Sequence, residues 1–198
     1  MNNENTKKSN FPPQVYQKVL DLFATKGYSG TSMSMIASAL GMSKSNLYYY
    51  CSSKEDLLYR VHLEFLKRNF IPIIEEAEGI PDPKGRITFF LRKLVFLSTA
   101  NKATRVLIPE IHNLNKSHHN EITLIFQRAY ELLTDSIQEL QQSGRARKFR
   151  KSFATFLGVG MVNWIAYWFD YSRQSNAEEL AETAVQLFGS GLFYSNER

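Results

Sequence analysis

Apolar residues recur along this chain at spacings of three and four, and no stretch sustains a spacing of two. Every predicted element is therefore a helix, and no sheet is expected. Pro12 and Pro13 suit a helix start. Val15, Val19, Leu22 and Phe23 supply its buried stripe, Gly27 ends it, and Gly30 falls in the following turn. Three shorter starts come next. Thr31 or Ser32 can cap a segment Met33–Leu40, and Ser43 or Ser45 one running to Tyr50. Ser52 or Ser53 can cap a long helix from Lys54 to Glu78, Ser52 having capping-box spacing with Glu55 and Pro72 marking a kink. The run Gly79-Ile80-Pro81-Asp82-Pro83 is a break. Beyond it the pattern predicts helices over 83–100, 103–115, 117–142, 149–171 and 177–194. The fold class is all-α, with about nine helices.

The segment from Thr31 to Lys54 carries the clearest chemistry. Ile36, Ala37 and Leu40 give its first short helix an apolar face, and Ala37 is small where a second helix must cross. Gly41 permits a tight turn. Met42 and Leu47 point inward, which leaves Lys44, Ser45, Asn46, Tyr48 and Tyr49 on the outer face of the second helix. A lysine can reach guanine O6/N7 or a phosphate. Serine and asparagine can bond phosphates or base edges, and a tyrosine can offer its hydroxyl to a phosphate and its ring to a thymine methyl. This is the composition of a recognition helix in a helix-turn-helix. Tyr50 is the ring best placed for packing. Lys7 and Lys8 could form an arm toward DNA, although a solvated tail is the simpler reading.

These residues resemble the TetR family of repressors. The resemblance runs through Leu22-Phe23, Gly27-Tyr28, Gly30 to Met33, Ile36-Ala37, Leu40 to Ser43, Asn46 to Tyr50 and Lys54 to Leu58. It is dense over residues 12–60 and loose over the remainder. It implies that Ser32, Met33 and Ser34 open the first helix of the motif near DNA, that Lys44, Ser45, Asn46, Tyr48 and Tyr49 lie on the recognition helix, and that Lys54 contacts a phosphate. It also implies residues 1–55 as an arm and DNA-binding domain, and residues 56–198 as an effector-binding and dimerisation domain.

In the second part, Gly158, Gly160, Gly189 and Gly191 sit inside apolar helical stretches. They lack the strand and lysine of a phosphate loop. Each costs about 1 kcal/mol against alanine in a helix, so close helix crossing is the natural compensation. Phe156, Gly160, Trp164, Ala184, Leu187, Phe188 and Gly191 are the expected homodimer interface, a four-helix arrangement in which TetR-like proteins pair. Phe65, Phe96, His112, Phe126, Tyr130, Asn163 and Tyr167 are the candidate lining of an effector pocket. Arg145 to Lys151 holds five cations in seven residues. The plain reading is a solvated loop. The sharper one makes Arg147 and Lys148 an anion site for a phosphorylated effector. The stretch from Asn163-Trp164 to Trp168-Phe169, with the following Ala-Glu-Glu-Leu-Ala helix, more weakly resembles the TetR-like regulators that sense acyl-CoA thioesters. A plain hydrophobic, drug-like ligand is the alternative.

Composition narrows the classes. The net charge of +5 is spread along the chain, +3 over residues 1–60 and +2 over the rest, which permits nucleic-acid binding without requiring it. A single cysteine, Cys51, cannot form an intramolecular disulfide or a multi-thiolate metal site. His112, His118 and His119 have no ligand partner at helical spacing, so neither a metal nor a cofactor is expected. No catalytic cluster is evident. An enzyme or an architectural DNA binder is therefore the weaker alternative to a regulator. With no signal peptide and no run of about 18 apolar residues, a cytoplasmic protein is expected, with double-stranded operator DNA, a small-molecule effector and a second copy of itself as partners. The expected mechanism is a two-state dimer in which effector binding shifts the helix starting near Lys54.

Overall fold

The computed structural model describes residues 11–100, 103–169 and 176–194. Lys7 and Lys8 lie outside them. Among the described residues there are ten α-helices and no strand. They are α1 (Pro13–Lys26), α2 (Met33–Ala39), α3 (Lys44–Tyr50), α4 (Lys54–Phe65), α5 (Ile71–Glu78), α6 (Pro83–Ala100), α7 (Ala103–Glu110), α8 (Lys116–Gln142), α9 (Lys151–Trp168) and α10 (Ala177–Leu192). A 3-10 turn, Ile111–Asn113, follows α7.

The expected single helix over 54–78 is interrupted by a π turn, Leu66–Phe70. Counted with that turn as one helix, α4 and α5 make the total nine. The interruption lies just before Pro72 rather than at it. Proline has no N–H for the preceding turn and its ring crowds the carbonyl four residues back, that of Arg68. Widening the turn over 66–70 relieves both.

The described chain divides into two compact units, and the division is not the expected cut at 55/56. One unit holds the chain up to Phe65 together with 106–120; the other holds 66–105 and 121 onward. The first unit has Val19, Ile36, Leu47, Leu57, Leu58 and Val61 fully buried at its centre. Phe11 is buried and stacks on Tyr50 at 4.6 Å. Tyr50 is thus the packing ring of the three consecutive tyrosines.

Residues 106–120 are held within this unit by one face of α4. Glu55, Tyr59 and His62 follow each other at i, i+4 and i+7. The Glu55 carboxylate accepts from the Asn115 backbone N–H (2.9 Å) and amide (3.1 Å), and it lies 2.8 Å from His118 Nδ1. The Tyr59 and His118 rings stack at 3.8 Å. His62, 2 % exposed, has Nε2 2.8 Å from the Leu107 carbonyl and Nδ1 3.1 Å from that of Leu58. His118 is therefore half-buried, packed against Tyr59 and Glu55.

The second unit is built on α6, whose Ile87, Phe90, Leu91 and Val95 are buried beneath α9 and α10. Phe70 meets Phe90 and Phe126 edge-on at 6.3 and 5.5 Å. Arg86 bridges to Glu139 (3.0 Å) and Arg92 to Glu182 (2.5 Å). Between α8 and α9 the chain reverses through Gly144, whose positive φ of 71° favours glycine. An isolated bridge, Ala146 with Phe193, ties that loop to the end of α10.

Candidate nucleic-acid interface

The geometry of the helix-turn-helix follows from its caps. Ser32 Oγ accepts from the Met35 N–H at 3.2 Å, starting α2. The helix ends in a Schellman turn: Met42 N–H reaches the Ala37 carbonyl and Gly41 N–H that of Ser38, both at 3.0 Å, with Gly41 at φ 67°. Ser43 Oγ then accepts from Asn46 N–H at 3.1 Å and starts α3. The third cap is Ser53, which accepts from Asp56 N–H at 3.0 Å. The reciprocal carboxylate is Asp56, not Glu55, and it takes both the Ser52 N–H (2.7 Å) and hydroxyl (2.8 Å). Burial pushes the Asp56 carboxyl upward, but the two Ser52 donors and Arg60, 2.9 Å away, outweigh it and hold the group below its ordinary value.

Leu47 is fully buried and anchors α3. With that side pinned inward, Lys44, Ser45, Asn46, Tyr48 and Tyr49 are all exposed, Tyr49 at 66 %. Lys44 Nζ lies 6.0 Å from the Tyr48 ring centroid. Ser32 and Ser34 are exposed at the start of α2, whereas the Met33 side chain is buried. What the Met33 position offers outward is its backbone N–H in the first turn, where a helix leaves its donors unpaired. Lys54, expected to contact a phosphate, reaches back to the turn before α2. Its ammonium donates to the carbonyls of Tyr28 (2.9 Å) and Thr31 (3.0 Å) and lies 4.3 Å from the Tyr28 ring centroid.

The remaining candidates scatter. Phe65 and His112 belong to the first unit, where Phe65 is buried and His112 exposed. In the second unit Phe96 and Phe126 are half-buried, and Tyr130, Asn163 and Tyr167 are exposed. Asn163 and Tyr167 lie on the same outward face of α9 as Phe156, Gly160 and Trp164, so that face unites residues expected in two different sites. Phe156 is 75 % and Trp164 67 % exposed. Phe153, Leu157 and Trp168 extend the same exposed stripe, and Leu187 and Gly191 are exposed on α10. Ala184 and Phe188 turn inward instead. Ala184 is buried, and the Phe188 ring fills the space beside Gly158, where an added Cβ would come within 2.9 Å of it.

The basic run is only partly free. Arg145 pairs with Asp82 at 2.8 Å, Lys151 bonds Gln138 with Asp135 3.9 Å away, and Arg150 lies over the Phe153 ring. The Gln141 amide donates to the Arg147 and Phe149 carbonyls, both at 2.9 Å, and orders the loop. The Arg147 and Lys148 side chains are exposed.

Residues 19–61 match the model of bacterial regulatory proteins of the tetR family, and residues 81–192 match the tetracyclin repressor-like C-terminal domain. The biofilm operon icaADBC negative transcriptional regulator IcaR of Staphylococcus epidermidis is 24 % identical over 161 residues, which are 74 % of this chain and 86 % of IcaR. The crystal structure of PfmR, a TetR family regulator from Thermus thermophilus, superposes with a TM-score of 0.82 at 27 % identity, over 93 % of this chain and all of that one. AibR, solved with isovaleryl coenzyme A and operator DNA, gives 0.79 at 24 % identity, over 88 % of this chain and 95 % of AibR. With both models matched in order, the second over more than half of this chain, the chain belongs to the TetR family of bacterial transcriptional regulators.

Proposed function

We propose that the protein is a homodimeric repressor that binds a palindromic operator through α2 and α3 and is released by an acyl-CoA thioester. The observation that carries the DNA-binding reading is the two-sidedness of α3. Leu47 is wholly buried, and Lys44, Ser45, Asn46, Tyr48 and Tyr49 form a continuous exposed face. Ser32, Ser34 and the Met33 N–H supply backbone-positioning contacts beside it. Repression is supported by the likeness to IcaR, a negative regulator. Pairing through α9 and α10 is supported by the exposed aromatic stripe, which is too apolar for a monomer surface. Two-fold symmetry sets the half-sites about 34–36 Å apart.

The thioester reading is supported by the exposed Arg147 and Lys148 and by the likeness to AibR, whose structure holds isovaleryl coenzyme A. Footprinting on an operator selected from a random duplex pool tests the first part. A Lys44→Ala, Tyr48→Ala double variant that protects the same operator with unchanged affinity overturns it. Release of that operator by free fatty acids, their CoA thioesters and free CoA, compared side by side, tests the second part. Only the thioesters should act at micromolar levels, and Arg147→Ala with Lys148→Ala should blunt the response. Release by uncharged hydrophobic compounds, indifferent to those substitutions, overturns it in favour of a plain hydrophobic effector.

A further inference from the structure

We propose that Lys54 serves DNA binding as a positioning residue, strapping the turn between α1 and α2, and is not itself a phosphate contact. The proposal rests on the reading that α2 and α3 form the DNA-binding face.

The turn runs from Gly27 to Thr31, and nearly every group in it is committed. Gly27 has a φ of 72°. The Thr31 hydroxyl donates to the Gly27 carbonyl at 2.7 Å, and the Thr31 N–H to that of Tyr28 at 3.2 Å. An added Cβ on Gly30 would lie 2.4 Å from the Lys26 carbonyl oxygen, so the backbone passes too close for any side chain there. Thr31 is 1 % exposed, and the next residue is Ser32, the cap of α2.

Lys54, the first residue of α4, reaches back across 26 positions to this turn. An ammonium has three N–H donors and no acceptor. Two go to the Tyr28 and Thr31 carbonyls, and the third direction is taken by the Tyr28 ring, whose face attracts a cation. Tyr28 is itself buried and set edge-on against Phe23 at 5.4 Å. The turn thus surrounds the ammonium with two carbonyls and a ring face, away from any need of a phosphate. The strap fixes where the chain enters α2, and so where Ser32, the Met33 N–H and Ser34 are presented.

The two roles separate experimentally. A phosphate contact contributes about 0.9 to the slope of log K against log salt, and any long cation can supply it. The strap needs a compact ammonium with three separately aimed donors, which the planar arginine fork cannot provide. Lys54→Met and Lys54→Arg would be compared with the wild type for operator affinity from 50 to 300 mM salt. The temperature would be one at which circular dichroism shows each variant folded. Denaturant unfolding without DNA would be measured in parallel.

The expected result for Lys54→Met is an affinity lower by about tenfold at every salt concentration, with an unchanged slope. The unfolding equilibrium should shift by about tenfold or more toward the unfolded chain, and Lys54→Arg should rescue neither. A slope reduced by about one, restored by arginine and with unaltered stability, overturns the proposal in favour of a phosphate contact. A destabilised Lys54→Met variant whose folded form binds operator as tightly as the wild type also overturns it, because the lysine would then be structural only. If the wild type selects no operator, the DNA-binding reading itself fails. The strap then stands or falls on the DNA-free unfolding midpoint, and an unchanged midpoint overturns it.

Discussion

His62 shows how much one buried side chain constrains. Both ring nitrogens face backbone carbonyls, yet a neutral imidazole carries a single N–H, so one of the two contacts can be a hydrogen bond at a time. Protonation would satisfy both. Burial opposes the cation more strongly than the Leu107 and Leu58 carbonyls and the nearby Glu110 favour it, and the group titrates below its ordinary value. The folded chain then binds fewer protons here than the unfolded chain does. Stability from this site is fully present above the ordinary imidazole value of about 6.5 and is lost as pH falls below it. Denaturant midpoints between pH 7.5 and 5 should decline, and His62→Leu should flatten the decline. The same variant should lose about 1–3 kcal/mol at pH 7.5, because the Leu107 carbonyl is left buried without its partner. Asp56 acts in the same direction at lower pH. Its depressed carboxyl contributes stability above the ordinary carboxylate range that disappears as pH falls through it. Asp56→Asn should therefore reduce the acid sensitivity of the protein together with its stability at neutral pH.

Helices α9 and α10 both carry glycines, and the two on α9, Gly158 and Gly160, look alike in sequence and differ in space. At Gly158 an added Cβ would meet the Phe188 ring at 2.9 Å, while at Gly160 it would meet nothing within 4 Å of the same protomer. Gly158→Ala should therefore displace the Phe188 ring, an overpacking cost that offsets the roughly 1 kcal/mol alanine gains over glycine in a helix. Gly160→Leu should not destabilise the dilute protomer, where the position is open, and should weaken self-association, as read by sedimentation. Equal effects of the two substitutions on the dilute protomer would contradict the assignment. The spacing of apolar residues was enough to find both helices, because an amphipathic stripe announces its own period. It could not say whether the stripe meets its own chain or another, since burial within a protomer and burial between protomers select the same residues. For the same reason Phe188 and Ala184 were grouped with Leu187, and Tyr167 and Asn163 with a pocket. The helix-turn-helix was read closely because caps, a turn glycine and one anchoring leucine are all local in sequence. The partners of Lys54 and of Glu55 were not, because Tyr28 and His118 are brought near only by tertiary packing.

At the scale of the whole molecule, the exposed face of Phe156, Leu157, Trp164, Trp168 and Leu187 is the strongest demand for a partner. Trp164→Glu with Leu187→Glu should yield a monomer in sedimentation equilibrium at micromolar concentration. It should also bind a full operator no better than a half-site, because the second recognition helix is then no longer tethered. A wild-type chain that sediments as a monomer would refute the proposed assembly. The first unit has a different bearing, on how this protein is made and recombined. It is discontinuous: the residues that cover α4 are numbered 106–120, far beyond the end of α4 at Phe65. A ribosome adding about 5–20 residues per second delivers the reading head of the regulator several seconds before the piece that closes it. During that interval His62 has no Leu107 carbonyl and Glu55 has no Asn115. A fragment ending near residue 65 should be soluble only with difficulty. A chimera that exchanges DNA-reading heads between regulators should splice at two places, carrying 106–120 along with the head, since a single junction at 65 would pair each head with a stranger's clasp.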